Sequence, residues 1–247
     1  MYILEWGSAT IDWCEPNYEW TWYIAELWNT LSSFSMVILG MVMVDLYYRK
    51  GVPRYITVSH FMLMLMGFGS VYFHGTLSFA GQLVDELTMV WYILFTMPEM
   101  TRQPKTMRIL AIAVAAWYTN HAVHLVTQPT KQVQFFQRTF ISCTILILFK
   151  VYILTRSHIE AKNQLEKVSL ALSLATIVWS IDRFACDELG HLYLHAVWHV
   201  LASVALYYLS HLQVFLHLNK NNHGDKVVFE KNAWQIATSQ RTKIQKY

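Results

Sequence analysis

Charged residues are scarce in this chain. Only 14% of its 247 residues are Asp, Glu, Lys or Arg, whereas 55% are hydrophobic. Ordinary soluble domains carry about 25% charged residues, so this chain has too few charges to cover a water-facing surface of its size. The composition excludes an ordinary soluble domain and favours a polytopic membrane protein.

Cysteine, glycine and proline are scarce as well. Three cysteines are too few for a small disulfide-stabilised scaffold. Nine glycines and five prolines in a chain with 15% aromatic residues exclude collagen-like, low-complexity and disordered classes. The basic residues form short clusters between hydrophobic runs instead of one basic face, so we expect no nucleic-acid partner.

Seven hydrophobic runs approach the length that crosses a bilayer as a helix, roughly 17–25 residues. The runs are continuous and lack the alternation of β-strands. The sequence therefore predicts an all-α membrane protein, a bundle of seven transmembrane helices that forms one domain over residues 22–216. The predicted spans are 22–47, 55–77, 83–100, 107–126, 133–154, 168–184 and 194–216.

Lys and Arg are distributed unevenly between the two sides of this predicted bundle. Lys131, Arg138 and Arg183 fall on one side, and the other 16 of the 19 basic residues fall on the opposite side. Because basic flanks face the cytosol, we expect a luminal N-terminal segment at residues 1–21. Residues 217–247 are expected to form a flexible, basic cytosolic tail. The first 21 residues lack the basic and apolar regions of a cleavable signal peptide.

Acidic and histidine side chains occur in the predicted spans, where burial of charge in lipid is costly. Since successive helices alternate in direction, these residues all fall at the luminal ends of their spans. They are Glu26, His74, Asp85, Glu86, Asp182, His195 and His199.

His195 and His199 are spaced four residues apart, which places both imidazoles on one helical face. Helices use this spacing to offer two nitrogens to one zinc ion. His74 lies at the same predicted depth and would supply a third nitrogen. Three protein ligands and an open position are typical of a catalytic zinc site.

Ser70 and Asp85 can converge with His74. Ser70 lies one turn before His74 on the same face, and Asp85 opens the next span after a tight turn. A structural alternative remains for each residue: Ser70 bonds to its own helix, and Asp85 caps the third helix.

The N-terminal segment concentrates oxygen atoms in the run Asp12-Trp13-Cys14-Glu15-Pro16-Asn17, and Glu26 follows at the start of the first span. Oxygen-rich ligation suits calcium, although the segment lacks the loop of an EF-hand. A capped turn before the first helix is the alternative. Cys14 and Cys186 both lie on the predicted luminal side, where oxidation would permit a disulfide; two free thiols are the alternative.

Five sequence blocks occur in order between residues 12 and 199. They are Asp12-Trp13-Cys14-Glu15-x-Asn17-Tyr18, Thr21-Trp22-Tyr23-Ile24-Ala25-Glu26-x-Trp28-Asn29-Thr30, Gly69-Ser70-x-x-Phe73-His74, Gln82-Leu83-x-Asp85-Glu86-Leu87 and His195-Ala196-x-Trp198-His199. In these blocks the chain resembles the alkaline ceramidase family of seven-span membrane hydrolases. Val71-Tyr72 and Val197 depart from the family pattern at positions that would affect pocket shape more than chemistry.

The resemblance implies an enzyme that hydrolyses the amide of ceramide, a membrane lipid, in the endoplasmic reticulum or Golgi membrane, with no obligate protein partner. It implies a catalytic pair, Ser70 and Asp85, and a disulfide between Cys14 and Cys186. It implies zinc bound by His74, His195 and His199. It implies calcium bound by Asp12, Trp13, Glu15, Asn17 and Glu26, with Trp13 contributing its backbone carbonyl.

Two other classes of protein remain open at this point. A seven-span zinc receptor of the progestin and adiponectin type would share the architecture with weak or no hydrolase activity. A metal or lipid transporter is the third class, but inverted halves or broken spans, which are typical of transporters, are not visible.

Overall fold

A computed structural model describes residues 8–49, 52–100, 104–156, 158–221, 227–229 and 236–238. Within these residues the chain is predominantly helical, so the prediction of an all-α bundle is confirmed in its coarse form. The long helices are α1 (Leu27–Arg49), α2 (Arg54–Thr76), α3 (Phe79–Thr96), α4 (Pro104–His124), α5 (Pro129–Thr155), α6 (Ile159–Phe184) and α8 (Leu194–Asn221); between the last two lies the short α7 (Cys186–Leu189). In the C-terminal segment, β1 (Val227–Phe229) and β2 (Ile236–Thr238) pair antiparallel.

Four helical segments are long and apolar enough to cross a membrane: α1, α2, α5 and the Leu194–His217 part of α8. Residues Ala161–Phe184 of α6 and the following segment Cys186–Leu192 meet the same length and hydropathy criterion as a pair, but they are bent by 102°. The described helices thus indicate a multi-pass membrane protein with four candidate spans, or five if the bent pair is one span. Helices α3 and α4 do not meet this criterion of length and hydropathy.

Helix α3 begins at Phe79, four residues before the predicted start at residue 83. The hydroxyl of Ser78 accepts a hydrogen bond from the Gly81 backbone N–H and so caps the helix. Asp85 consequently lies in the second turn of α3, and the cap is already provided by Ser78.

Helices α1 and α2 approach each other closely at two glycines. A Cβ atom on Gly40 would lie 2.6 Å from the Met64 backbone nitrogen, and one on Gly67 would lie 2.6 Å from the Val37 backbone nitrogen. Small residues of this kind allow backbones to pack directly in membrane helix pairs. This contact fixes α2, which carries His74, against α1, which begins directly after Glu26.

The main hydrophobic core lies between α1, α2, α3, α5, α6 and α8. Its fully buried members include Leu63, Val151, Val168 and Leu212. Helices α4 and α5 instead present large apolar side chains at the surface, as a lipid-facing position requires. These exposed residues include Ile109, Ile112, Trp117, Ile141, Ile145 and Phe149.

The segment before α1 packs against one end of the bundle. The Ala9 N–H donates to the Leu77 carbonyl (2.8 Å), and Thr10 donates to the Gln82 side chain. The Glu26 N–H donates to the carbonyl of His74 (3.0 Å), so the start of α1 is attached to the end of α2. These contacts place the acidic N-terminal segment directly over the ends of α2 and α3.

Candidate metal centre and active site

Three histidines converge at the end of the bundle that the N-terminal segment covers. His74 comes from the end of α2, and His195 and His199 come from the first two turns of α8. All three are at most 3% exposed, and one ligand atom from each lies within 4.8 Å of those of the other two. Among the described residues this is the group of histidine, cysteine and acidic side chains that could hold a metal ion.

Two of the three histidines in this cluster have a hydrogen-bond partner of the kind that metal-binding imidazoles need. His74 Nδ1 is hydrogen-bonded to Glu26 Oε2 (2.5 Å), and His199 Nδ1 lies 2.7 Å from Ser32 Oγ. A partner on one ring nitrogen fixes the tautomer and leaves the other nitrogen for a metal. His195 Nδ1 is buried without a hydrogen-bond partner, which is unfavourable unless a ligand satisfies it. Three imidazole donors fit zinc, and copper, iron and nickel accept imidazole too.

The His195 ring is held by groups from outside its own helix. The Trp13 indole stacks on it with ring centroids 3.7 Å apart. Asp182, at the end of α6, accepts hydrogen bonds from the backbone N–H groups of His195 (3.1 Å) and Cys14 (3.4 Å). A disulfide bond joins Cys14 to Cys186 in α7, so the free-thiol alternative is not what the structure shows.

Ser70 faces the histidine cluster. Its Oγ lies 3.3 Å from His199 Nε2 and 2.8 Å from Ser33 Oγ, and the residue is 1% exposed. The Ser70 hydroxyl therefore lies directly beside the His199 imidazole. The sequence reasoning placed Ser70 here but missed Ser32 and Ser33, which both contact the site from α1.

A signal for one of these serines is present in the sequence. Glu26, Asn29 and Ser33 are spaced three and four residues apart, so they form a polar stripe on one helical face at the start of the first predicted span. Such a stripe indicates a face that packs on a polar site instead of on lipid.

Asp85 lies near Ser70 without bonding to it. A Cβ atom on Gly69, next to Ser70, would lie 3.1 Å from Asp85 Cα, so α3 packs tightly on α2 at this level. Among the described residues no hydrogen bond links the Asp85 carboxylate to Ser70 or to the three imidazoles. The structure thus places the backbone of Asp85 beside the site.

Glu86 is held apart from the histidine cluster. Its carboxylate accepts hydrogen bonds from Gln82 Nε2 (2.9 Å) and from Gln132 Nε2 of α5 (2.5 Å). Gln82 also accepts from Thr10. This buried network joins the N-terminal segment, α3 and α5, and it has a structural role.

The acidic groups of the N-terminal segment gather around Glu26. The Trp13 N–H donates to Glu26 Oε1 (3.3 Å), and Asn29 Nδ2 donates to Glu26 Oε2 (3.0 Å). The Asp12 carboxyl lies beside that of Glu26 and also accepts from Asn17 Nδ2 at 3.1 and 3.2 Å. Carboxylate oxygens such as those of Asp12 and Glu26 are ligands of the kind that calcium prefers, but among the described residues these acids do not form a metal-binding group of three side chains.

Glu15 also caps α1. Its two carboxylate oxygens accept hydrogen bonds from the backbone N–H groups of Trp28 (2.7 Å) and Asn29 (2.8 Å) at the start of the helix. Burial raises the pKa of Glu15, and these two hydrogen bonds oppose that shift. Each carboxylate oxygen has a second lone pair, so a cap and a cation can share this side chain.

Comparison with known proteins identifies the family. A family model described as Ceramidase matches residues 5–241. This chain belongs to the ceramidase family. It is 30% identical over 218 residues to alkaline ceramidase 1 of Homo sapiens, covering 83% of this chain and 82% of that protein. It is 27% identical over 237 residues to alkaline ceramidase of Arabidopsis thaliana, covering 91% of each.

A third relative is alkaline ceramidase of Drosophila melanogaster, 28% identical over 233 residues, with 84% of this chain and 78% of that protein covered. The match to the ceramidase family gives no support to the alternative of a progestin- or adiponectin-type receptor.

Proposed function

We propose that this protein is a zinc-dependent ceramidase, which hydrolyses the N-acyl amide of ceramide to a sphingoid base and a free fatty acid. The observation that carries the proposal is the convergence of three buried imidazoles beside Ser70. The ceramidase family match and the names of the relatives support a hydrolase that acts on ceramide.

His74, His195 and His199 hold the zinc ion. Zinc at such a site lowers the pKa of a bound water to about 7 and polarises a carbonyl group. Glu26 and Ser32 orient the rings of His74 and His199, and Trp13 and Asp182 fix His195. Because protons compete with a metal for imidazole nitrogen, this ligand set suits turnover at neutral to alkaline pH.

Ser70 and Asp85 act on the substrate. Ser70 donates a hydrogen bond to the carbonyl oxygen as negative charge develops on it; one such donor contributes about 2.7–4 kcal/mol. Asp85 takes a proton from the attacking water and returns it to the departing nitrogen. Support for this pair is the buried contact of Ser70 with His199 and the close packing of Asp85 against Gly69.

Asp12, Trp13, Glu15, Asn17 and Glu26 bind calcium, which attaches the N-terminal segment to α1. This cation lies outside the reaction, because its ligands surround Glu26 on the side of the N-terminal segment. Its effect on turnover passes through Glu26, whose carboxylate also bonds to His74.

All seven long helices span the bilayer, with the N-terminal segment in the lumen and the tail in the cytosol of endoplasmic reticulum or Golgi membranes. The asymmetry of Lys and Arg supports this direction. The exposed apolar side chains of α4 and α5 support contact of these helices with lipid.

The proposal is tested by turnover of a ceramide substrate by purified protein in detergent or nanodiscs. His199→Ala is expected to abolish both zinc retention and turnover, and Asp85→Ala to abolish turnover with zinc retained. His124→Ala is the control, since His124 ends α4 and lies outside the histidine cluster. Near-normal turnover by Asp85→Ala would contradict its role as base, and near-normal turnover by His199→Ala would contradict the zinc site.

A further inference from the structure

Two adjacent serines of α1 contact different parts of the site. Ser32 Oγ lies 2.7 Å from His199 Nδ1, and Ser33 Oγ lies 2.8 Å from Ser70 Oγ. Ser33 is fully buried at 0% exposure. Ser32 is thus the nearer partner of the His199 ring, whereas Ser33 lies 3.4 Å from His199 Nδ1 and is closer to the Ser70 hydroxyl.

The hydrogen bonds around the Asn29 carbonyl determine which way these hydroxyls point. The Asn29 oxygen is within bonding distance of Ser32 Oγ (3.0 Å) and Ser33 Oγ (2.7 Å). In an α-helix the same oxygen also accepts the backbone N–H four residues on, which belongs to Ser33. A carbonyl oxygen has two lone pairs, so three donors exceed its capacity and one hydroxyl must donate elsewhere.

Of the two hydroxyls, that of Ser33 has a second oxygen to which it can donate, Ser70 Oγ. If His199 Nδ1 carries the hydrogen, as binding of a metal through Nε2 requires, Ser32 accepts from Nδ1 and donates its own hydrogen to Asn29. Ser33 then donates to Ser70 Oγ, which is the nearest remaining oxygen. Because Ser70 Oγ then accepts the Ser33 hydrogen with one of its lone pairs, the hydrogen of Ser70 itself points away from Ser33. That hydrogen is available to a substrate carbonyl.

We propose that Ser33 is a positioning residue that orients the Ser70 hydroxyl as a hydrogen-bond donor toward the substrate. This inference rests on the proposed ceramidase function. It assigns Ser33 to turnover and leaves metal retention to the imidazoles and to the partner of His199, Ser32. No bond to the substrate is formed by Ser33, and only rotation of its hydroxyl is involved.

A double-mutant cycle on purified protein tests the proposal. Ser33→Ala is expected to lower kcat about 10-fold, less than the roughly 100- to 1,000-fold effect of deleting a donor outright. In a Ser70→Ala background, Ser33→Ala is expected to have no further effect. Because the interaction is made in the transition state, KM should stay unchanged while kcat and kcat/KM fall together.

Two further variants separate positioning from packing. Ser33→Thr keeps a hydroxyl at this position and is expected to restore most of the turnover. Ser35→Ala is the matched control, because the Ser35 hydroxyl pairs with Ser203 (2.7 Å) and reaches only the backbone carbonyl of His199 (3.4 Å), not Ser70 or an imidazole ring. Its kcat is expected to equal that of the unaltered protein.

Zinc content measured on the same preparations is the readout that does not depend on turnover. Ser33→Ala is expected to retain the zinc of the unaltered protein. Loss of zinc in Ser33→Ala would overturn the proposal, and so would an unchanged kcat in this variant. The proposal would also fail if Ser33→Ala lowered kcat equally in the presence and absence of the Ser70 hydroxyl, or if Ser35→Ala lowered kcat as much as Ser33→Ala does. If the unaltered protein does not hydrolyse ceramide, the proposed function fails first and this inference with it.

Discussion

At the residue scale, each imidazole of the histidine cluster is held by a different kind of group. Glu26 pairs with His74, Ser32 with His199, and Trp13 stacks on His195. A carboxylate partner strengthens an imidazole ligand more than a hydroxyl does, because the hydrogen bond is charge-assisted. The His74 ring therefore depends most on its partner.

Replacing Glu26 should weaken metal binding. In Glu26→Gln the charge is lost while the side-chain shape is kept, and loss of such a partner typically lowers metal affinity about 10- to 100-fold. The measurement is zinc affinity by chelator competition. Glu188→Gln in the short α7 is the control, because Glu188 is exposed and lies outside the site. Equal affinity of Glu26→Gln and the unaltered protein would contradict the orienting role of Glu26.

At the element scale, the site depends on how closely α1, α2 and α8 pack. Ser32 approaches from α1 and Glu26 from the position directly before this helix, His74 and Ser70 approach from α2, and His199 from α8. A shift of one helix would separate partners that now lie within hydrogen-bonding distance. The glycines between α1 and α2 set that spacing.

Adding a methyl group at Gly67 should disturb this packing. Its Cβ would lie 2.6 Å from the Val37 backbone nitrogen, which cannot move aside as a flexible side chain can. Gly67→Ala is expected to destabilise the protein by about 1–3 kcal/mol, measured by thermal unfolding in detergent. Gly75→Ala, on the same helix, is the control, because the nearest atom to its Cβ is Thr30 Oγ1 at 3.9 Å. Equal melting temperatures for both variants would contradict the close contact.

The disulfide connects elements that are far apart in the chain. Cys14 and Cys186 are separated by 172 residues, and Trp13 and Asp182 on either side of this bond hold His195. Cys14→Ser is expected to lower stability by about 2–4 kcal/mol and to weaken zinc retention. Cys143→Ser is the control, since Cys143 is a free cysteine in α5. An unaltered melting temperature in Cys14→Ser would show that the bond does not stabilise the fold.

The hydrophobic runs of the sequence predict where the long helices lie more accurately than where each helix begins and ends. Helix α6 begins at Ile159, nine residues before the predicted start, because its first turns are polar and do not read as a membrane span. The break at Ala185 and the short α7 were not predicted, and neither was the strand pair Val227–Phe229 and Ile236–Thr238. Such features depend on capping and local contacts that a hydrophobic run does not encode.

The histidine cluster was predictable because spacing alone places His195 and His199 on one face. The contacts of Ser32, Ser33 and the Trp13 ring were not, since they arise from packing of α1 and the N-terminal segment on α8. The capping alternative for Asp85 fails because Ser78, a residue type that helices prefer at the N-cap, already caps α3.

At the scale of the whole molecule, the bundle brings residues from its first and last helices to one buried centre. The N-terminal segment closes that end, and a hydrophobic core fills the space between the helices below it. A lipid amide can be separated from water in such a setting while its polar groups meet Ser70 and the imidazoles. The central claim is that one metal ion at this centre makes the protein a ceramidase.

Titration of zinc into metal-free protein, with ceramide hydrolysis followed at each addition, tests that claim most directly. Turnover is predicted to rise in proportion to added zinc and to reach its limit at one zinc per chain, and to stay absent at every zinc concentration in the His74→Ala protein. Full turnover by the metal-free protein, or equal turnover by His74→Ala, would contradict the claim.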